Sequence, residues 1–240
     1  MNSAINRYHQ QSKGLLYSYL ICIPLLLAYE ALILISQPGS RYMVRISVDS
    51  WFKSVFTYFG LDAISTTLLI AAVIGGFILY RKRADLSHLR KHYFLFMIAE
   101  SLVYAVLVSL AIGSFLSSLF AMQAGGSIQQ LTKLQQLALS LGAGLYEELF
   151  FRVILVSLLI YLFNFLFTKR KLAVIGSVLL AAFIFSGVHY IGLYGDNFNV
   201  NSFLFRFLFG LALNLIYVIR GFGIAAWTHA LYDVLIVLSR

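Results

Sequence analysis

The chain has 240 residues, of which 61% are hydrophobic and only 11% charged, with two prolines (Pro24 and Pro38) and one cysteine (Cys22). No soluble domain needs so much apolar surface. The 18 Lys and Arg against 9 acids sit mainly between apolar runs, which fits membrane orientation and excludes nucleic acid as a partner, since no basic soluble face is left.

Taken in chain order, the apolar runs predict an all-α, polytopic membrane helix bundle of about seven spans. A crossing helix needs about 20 residues. The predicted spans are Leu15–Ile35, Ile64–Tyr80, Tyr93–Ala121, Leu137–Phe163, Leu172–Ile191, Phe203–Ile219 and Phe222–Leu238. The first contains Glu30 and lacks a small-x-small cleavage site, so it reads as a retained anchor. Cys22 within it, a lone thiol, is expected to pack. Trp51–Asp62 is too short to span and reads as an interfacial amphipathic helix. Gly125–Gln136 reads as a polar loop entering the fourth span. The chain divides into N-terminal helices and an interfacial segment, 1–133, and a C-terminal catalytic core, 134–240, within one membrane domain.

With the N-terminus inside, Arg7, Lys13, Arg81, Lys82, Arg83, Arg90, Lys91, Lys169, Arg170, Lys171 and Arg220 share the cytoplasmic side. Arg41, Arg45, Lys53, Lys133 and Arg240 fall opposite. Basic residues concentrate on the inner side of membrane proteins, so N-in is expected, in a bacterial-type cell membrane.

Three clusters carry ionisable groups inside these spans, where each charge costs roughly 3 kcal/mol on insertion scales. A shared polar cavity among the fourth to seventh spans would relieve that cost. In the fourth, Glu148 and Arg152 are four apart and suit an ion pair. Glu147, turned about 100° away on an α-helix, is the candidate general base, with Glu148 and Arg152 as its scaffold. In the fifth, Phe185 lies four before His189 and would limit its rotamers. In the seventh, His229 and Asp233 share a face. Glu30, Glu100, Arg206 and Asn214 are buried polar residues outside any motif; pairing of Glu30 or Glu100 with Arg206 is the expected structural reading. Ser157 and Ser186 have no general base at a recognisable spacing.

Together these clusters resemble the CAAX protease and bacteriocin-processing family of intramembrane endopeptidases, which includes the type II CAAX prenyl endopeptidases. The family pattern is Glu-Glu-x-x-x-Arg, then Phe-x-x-x-His, then His-x-x-x-Asn or Asp. Here it is Glu147-Glu148 with Arg152, Phe185 with His189, and His229 with Asp233. The resemblance covers roughly the C-terminal half. Two departures stand out: Gly210 is followed four residues later by Asn214 where a second glycine is common, and Asp233 replaces the commoner Asn.

The resemblance implies hydrolysis of a peptide bond near the C-terminus or juxtamembrane segment of a membrane-anchored polypeptide, with lipid as the other partner. Glu147 and His189 would position water, and His229 with Asp233 would complete the site. Residue chemistry allows the same roles: Glu147 takes the proton, His229 stabilises the oxyanion, and Asp233 fixes its tautomer or orientation. No cofactor is expected, although His189, His229 and Glu147 could hold Zn²⁺. A small ion- or proton-coupled transporter or channel using the same residues is the alternative, and oligomeric state is not legible.

Overall fold

The computed structural model describes residues 2–38, 44–119, 131–192 and 195–239, and all regular structure among them is helical. The chain runs α1 (Asn2–Ser12), α2 (Leu15–Ser36), α3 (Ser47–Tyr58), α4 (Ala63–Arg81), α5 (Arg83–Leu86) and α6 (Lys91–Leu119). After α6 a single helical rod, Lys133–Leu166, begins as α7 (Lys133–Gly142) and ends as α8 (Ser157–Leu166). Then come α9 (Arg170–Val188), α10 (Val200–Arg220) and α11 (Phe222–Leu238).

Among the described residues, six helices are long and apolar enough to cross a membrane: α2, α4, α6, the rod Lys133–Leu166, α9 and α10. The seventh predicted span is present as α11, but with 17 residues it extends only about 25 Å, short of the roughly 30 Å hydrocarbon core. It can be short because it faces protein. Contacts from α2, α6, α7 and α10 surround it, and Gly223, Ala225, Ala226 and Ala230 let their backbones approach. At the other extreme, α4 exposes Leu69, Val73 and Phe77, the surface that lipid covers in a membrane. Cys22 is buried and free, as its apolar setting predicts.

Local chemistry explains the helix ends. Thr132 caps α7 in a reciprocal box with Gln135, so the fourth span starts earlier than predicted and the described part of Gly125–Gln136 is largely helical; 125–130 of that predicted loop lie outside the described residues. Asp62 accepts from the Ser65 backbone N–H at 2.8 Å and caps α4, and the hydrogen bonds from Ser65 hold its carboxyl below the usual range. Gly221, at φ +88°, turns α10 into α11 with Lys13 backbone packed against it. A side chain there would be strained and would meet the Lys13 carbonyl oxygen at 2.8 Å.

Two buried charge clusters tie the N-terminal helices to the rest, and their pairings differ from the expectation. Glu100 pairs with Arg220 rather than Arg206: Nε and Nη2 donate to its two oxygens at 2.5 and 2.8 Å. Tyr8 and Tyr104 donate to the same carboxylate, while Arg220 also reaches the His9 carbonyl and Ser12. Glu30 pairs with Arg45 and Lys53, and Asp49 pairs with the same two cations. Trp51–Asp62 is therefore tied to the bundle through Lys53. Its sequence belongs to α3 and the turn after it, and α3 turns Asp49 and Lys53 inward because Glu30 needs a cation in lipid.

Contacts also assign the helix ends to two sides. Lys13 donates to the Val218 carbonyl and Arg90 N–H to the Tyr17 hydroxyl, at 2.6 and 2.8 Å. The start of α2, the start of α6 and the α10–α11 turn therefore share one end of the bundle, which is the predicted basic end. His189, the loop after it and the start of α10 lie at the other.

Candidate active site

The rod carrying Glu147 and Glu148 is wound differently from its neighbours. Ala143–Glu147 and Leu149–Val156 are π-helical, with hydrogen bonds reaching five residues back, so each residue turns through less than the 100° of an α-helix. Such segments are rare and gather at functional sites. Gly144 seats the segment on α11: a Cβ there would lie 2.5 Å from the Ala226 carbonyl oxygen and 2.6 Å from Ala230. A helix with side chains at this crossing could not come so close.

That contact brings the first and last clusters together. His229 Nδ1 lies 2.7 Å from Glu148 Oε1, and Arg152 Nη1 lies 2.9 Å from the same oxygen. Both Glu148 and Arg152 are fully buried. The ion pair expected from the four-residue spacing is thus present, and it also grips His229. Asp233 Oδ2 is 3.6 Å from His229 Nε2, too far for a hydrogen bond. The contact that sets the His229 tautomer comes from Glu148, not from Asp233 as expected, because the close crossing at Gly144 aims Nδ1 at the rod.

Phe185 links the second cluster to the first. Its ring packs 5.0 Å from that of His189 and lies 4.6 Å under the Arg152 guanidinium, a cation–π contact that helps keep a buried cation. His189 follows the last residue of α9, and its Nδ1 is 2.7 Å from the Phe185 carbonyl. The carbonyl can only accept, so Nδ1 carries the proton and Nε2 is left free.

Glu147 differs from Glu148 in being only partly buried. It lies close enough to Arg152, His189, His229 and Asp233 for its charge to act on each. The structure thus brings Glu147, Glu148, Arg152, Phe185, His189, His229 and Asp233 to one place from three separate helical segments.

Residues 129–235 match the family model of type II CAAX prenyl endopeptidase Rce1-like proteins. This segment is similar to the CAAX proteases of that type. The Rce1-like segment begins just before α7, reaches into α11 and contains every residue of the three clusters. The match, together with the apolar helices, supports a multi-pass membrane protein of the CAAX-type intramembrane endopeptidase class. No curated protein and no solved structure matches the chain.

Within the Rce1-like segment, α10 contributes a face that sequence reasoning passed over. Arg206, Phe209, Gly210 and Leu213 follow i, i+3, i+4, i+7 spacing, a signal of one helical face. Phe209 packs its ring 5.0 Å from His229. Gly210 receives the Phe185 ring, with 2.8 Å between a Cβ built there and Cδ1. Asn214 donates to the Val178 carbonyl at 2.8 Å, so the Gly210-x-x-x-Asn214 departure has a packing role at each end. Arg206 stands over the Tyr190 ring at 5.2 Å and pairs with Asp196.

The serines have structural partners: Ser186 donates to the Phe203 carbonyl, and Ser157 hydrogen bonds with Tyr217. Nδ1 of each histidine is held by a protein acceptor, which leaves Nε2 as the open nitrogen of both rings; among the described residues no three His, Cys, Asp or Glu side chains are grouped as a ligand set.

Proposed function

We propose that this protein is an intramembrane endopeptidase that cuts a peptide bond near the C-terminus or juxtamembrane segment of a membrane-anchored polypeptide, with Glu147 activating water. The observation that carries this reading is the division of labour between adjacent glutamates. Glu148 is buried and committed to Arg152 and His229, whereas Glu147 is partly open beside both histidines.

Water held between the Glu147 carboxylate and His189 Nε2 loses a proton to Glu147 as its oxygen attacks the carbonyl carbon. The carbonyl oxygen gains negative charge. His229 faces it as a donor from Nε2, which requires both ring nitrogens to be protonated, since Nδ1–H is bonded to Glu148. Glu148 at 2.7 Å and Asp233 at 3.6 Å are the two carboxylates that accompany this imidazolium. One oxyanion donor of this kind is worth about 3 kcal/mol of barrier. Collapse of the tetrahedral species breaks the C–N bond, and Glu147 returns the proton to the departing amine. The products are a new carboxylate and a new amino terminus, with no metal or other cofactor in the cycle.

With the N-terminus cytoplasmic, as the basic end predicts, the His189 end of the site faces the extracytoplasmic leaflet of a bacterial-type membrane. That favours processing of leader or sorting segments there. The test is cleavage of a membrane-tethered reporter by purified protein in liposomes, with products identified by mass. Glu147→Ala and His189→Ala are expected to insert normally and abolish cleavage, and wild-type cleavage is expected to survive a strong chelator. Loss of activity to chelation with recovery on Zn²⁺ would overturn the metal-free cycle; ion flux without cleavage would overturn the protease reading.

A further inference from the structure

At the basic end of the bundle, remote from His189, α1 and the α5–α6 link border an open hollow of about 400 Å³ lined by Arg7, Gln11, Ser87, His88, Leu89 and Arg90. No carboxylate lines it. Four arginines elsewhere are paired with acids: Arg45 with Glu30 and Asp49, Arg152 with Glu148, Arg206 with Asp196 and Arg220 with Glu100. Arg7 and Arg90 have none among the described residues. The acids nearest in sequence are committed, Asp85 to Lys82 and Glu100 to Arg220.

Two guanidiniums in one polar hollow present a fork of donors suited to phosphate oxygens. The remaining lining adds neutral hydrogen-bonding groups. His88 Nδ1 is satisfied locally by the Ala84 carbonyl and Ser87, at 3.3 and 3.1 Å, which leaves its other nitrogen for a ligand. The Gln11 amide oxygen is buried with no donor among the described residues, so an occupant carrying hydroxyl groups beside its phosphate would satisfy it. The position selects the source. Arg90 precedes the membrane-spanning α6, whose second turn exposes Leu95 and Phe96, 72% and 53% accessible. A phosphate seated at Arg7 and Arg90 would have its acyl chains beside that apolar strip, and basic pockets at this level of a membrane protein suit anionic headgroups.

The geometry points to a binding site for a phosphate-bearing ligand at Arg7 and Arg90, occupied by the hydroxylated headgroup of an anionic phospholipid. Tyr8, next to Arg7, donates to Glu100 and packs on Tyr93 and Phe96, so the lipid would clamp α1 onto α6.

The test uses the full-length protein in three vesicle compositions or additions: phosphatidylcholine alone, phosphatidylcholine with phosphatidylglycerol, and phosphatidylcholine with inorganic phosphate. Phosphatidylglycerol is expected to raise the thermal unfolding midpoint by about 3 °C, the scale of 1 kcal/mol of ligand stabilisation for a chain of this length. Arg7→Gln with Arg90→Gln should erase that rise while leaving the phosphatidylcholine midpoint unchanged, since both side chains are exposed at the surface. Arg81→Gln with Arg83→Gln, at the same end but outside the cavity, should keep the rise. Equal midpoints with both lipids, or loss of the rise in both double variants alike, would overturn the site. An equal rise with inorganic phosphate would overturn the lipid as its occupant.

Discussion

Adjacent residues on one helical turn carry different duties here, and burial decides which is which. In the proposed cycle Glu148 is not the base, because Arg152 and His229 share its one engaged oxygen inside a dry interior. Breaking such a pair leaves a buried charge alone and costs about 3–5 kcal/mol. Arg152→Met is therefore expected to lower the unfolding free energy in detergent by about that amount. Glu147→Gln keeps the shape of a partly exposed side chain, so stability should change by no more than about 0.5 kcal/mol while peptide cleavage falls by about 10²–10⁴-fold. Equal loss of stability in the two variants would contradict the division. The Glu148–Arg152 pair was legible from four-residue spacing. The hold of Glu148 on His229 was not, because the two are 81 positions apart and meet only through tertiary packing.

Between elements, glycine controls the distance that makes the site. Gly144 sits against α11 backbone that cannot yield, whereas Gly187, near the end of α9, has nothing within 4 Å of a built Cβ. Gly144→Val is expected to push α11 off the rod, cost about 1–3 kcal/mol or more and lengthen the Glu148–His229 contact, so that cleavage is lost even in the folded fraction. Gly187→Ala should be neutral or slightly stabilising, since alanine is the better helix former. Urea unfolding and cleavage measured on both variants check the contrast; equal effects would contradict it. Helix number and bounds were largely readable from apolar runs, and α11 matches its predicted limits. The π-helical winding of Ala143–Glu147 and Leu149–Val156 left no mark in residue spacing, because the same glycines and glutamates would sit acceptably in an α-helix. The inward turn of α3 was hidden for a related reason: Lys53 reads as an outer-side basic residue until Glu30 is placed beside it.

At the scale of the whole molecule, one end gathers the basic loops and the Glu100–Arg220 clamp, and the other holds His189 and the Arg206–Asp196 pair. Sidedness follows from charge on loops and can be read with a thiol probe, since the single native cysteine is buried. Asn197→Cys should label with an impermeant maleimide on intact cells, and Arg170→Cys only after lysis. The reverse pattern would invert the orientation and place the open end of the site toward the cytoplasm.

The central claim is that Glu147 delivers water to a peptide bond without a metal. It is tested most directly by a single turnover of the membrane-tethered reporter in H₂¹⁸O with a strong chelator present, followed by mass analysis of products and protein. Wild-type protein is expected to place one ¹⁸O atom in the new carboxylate and none in Glu147 itself, and Glu147→Gln is expected to give no labelled product. Label in the Glu147 side chain, or labelled product from the Gln variant at the wild-type rate, would contradict it.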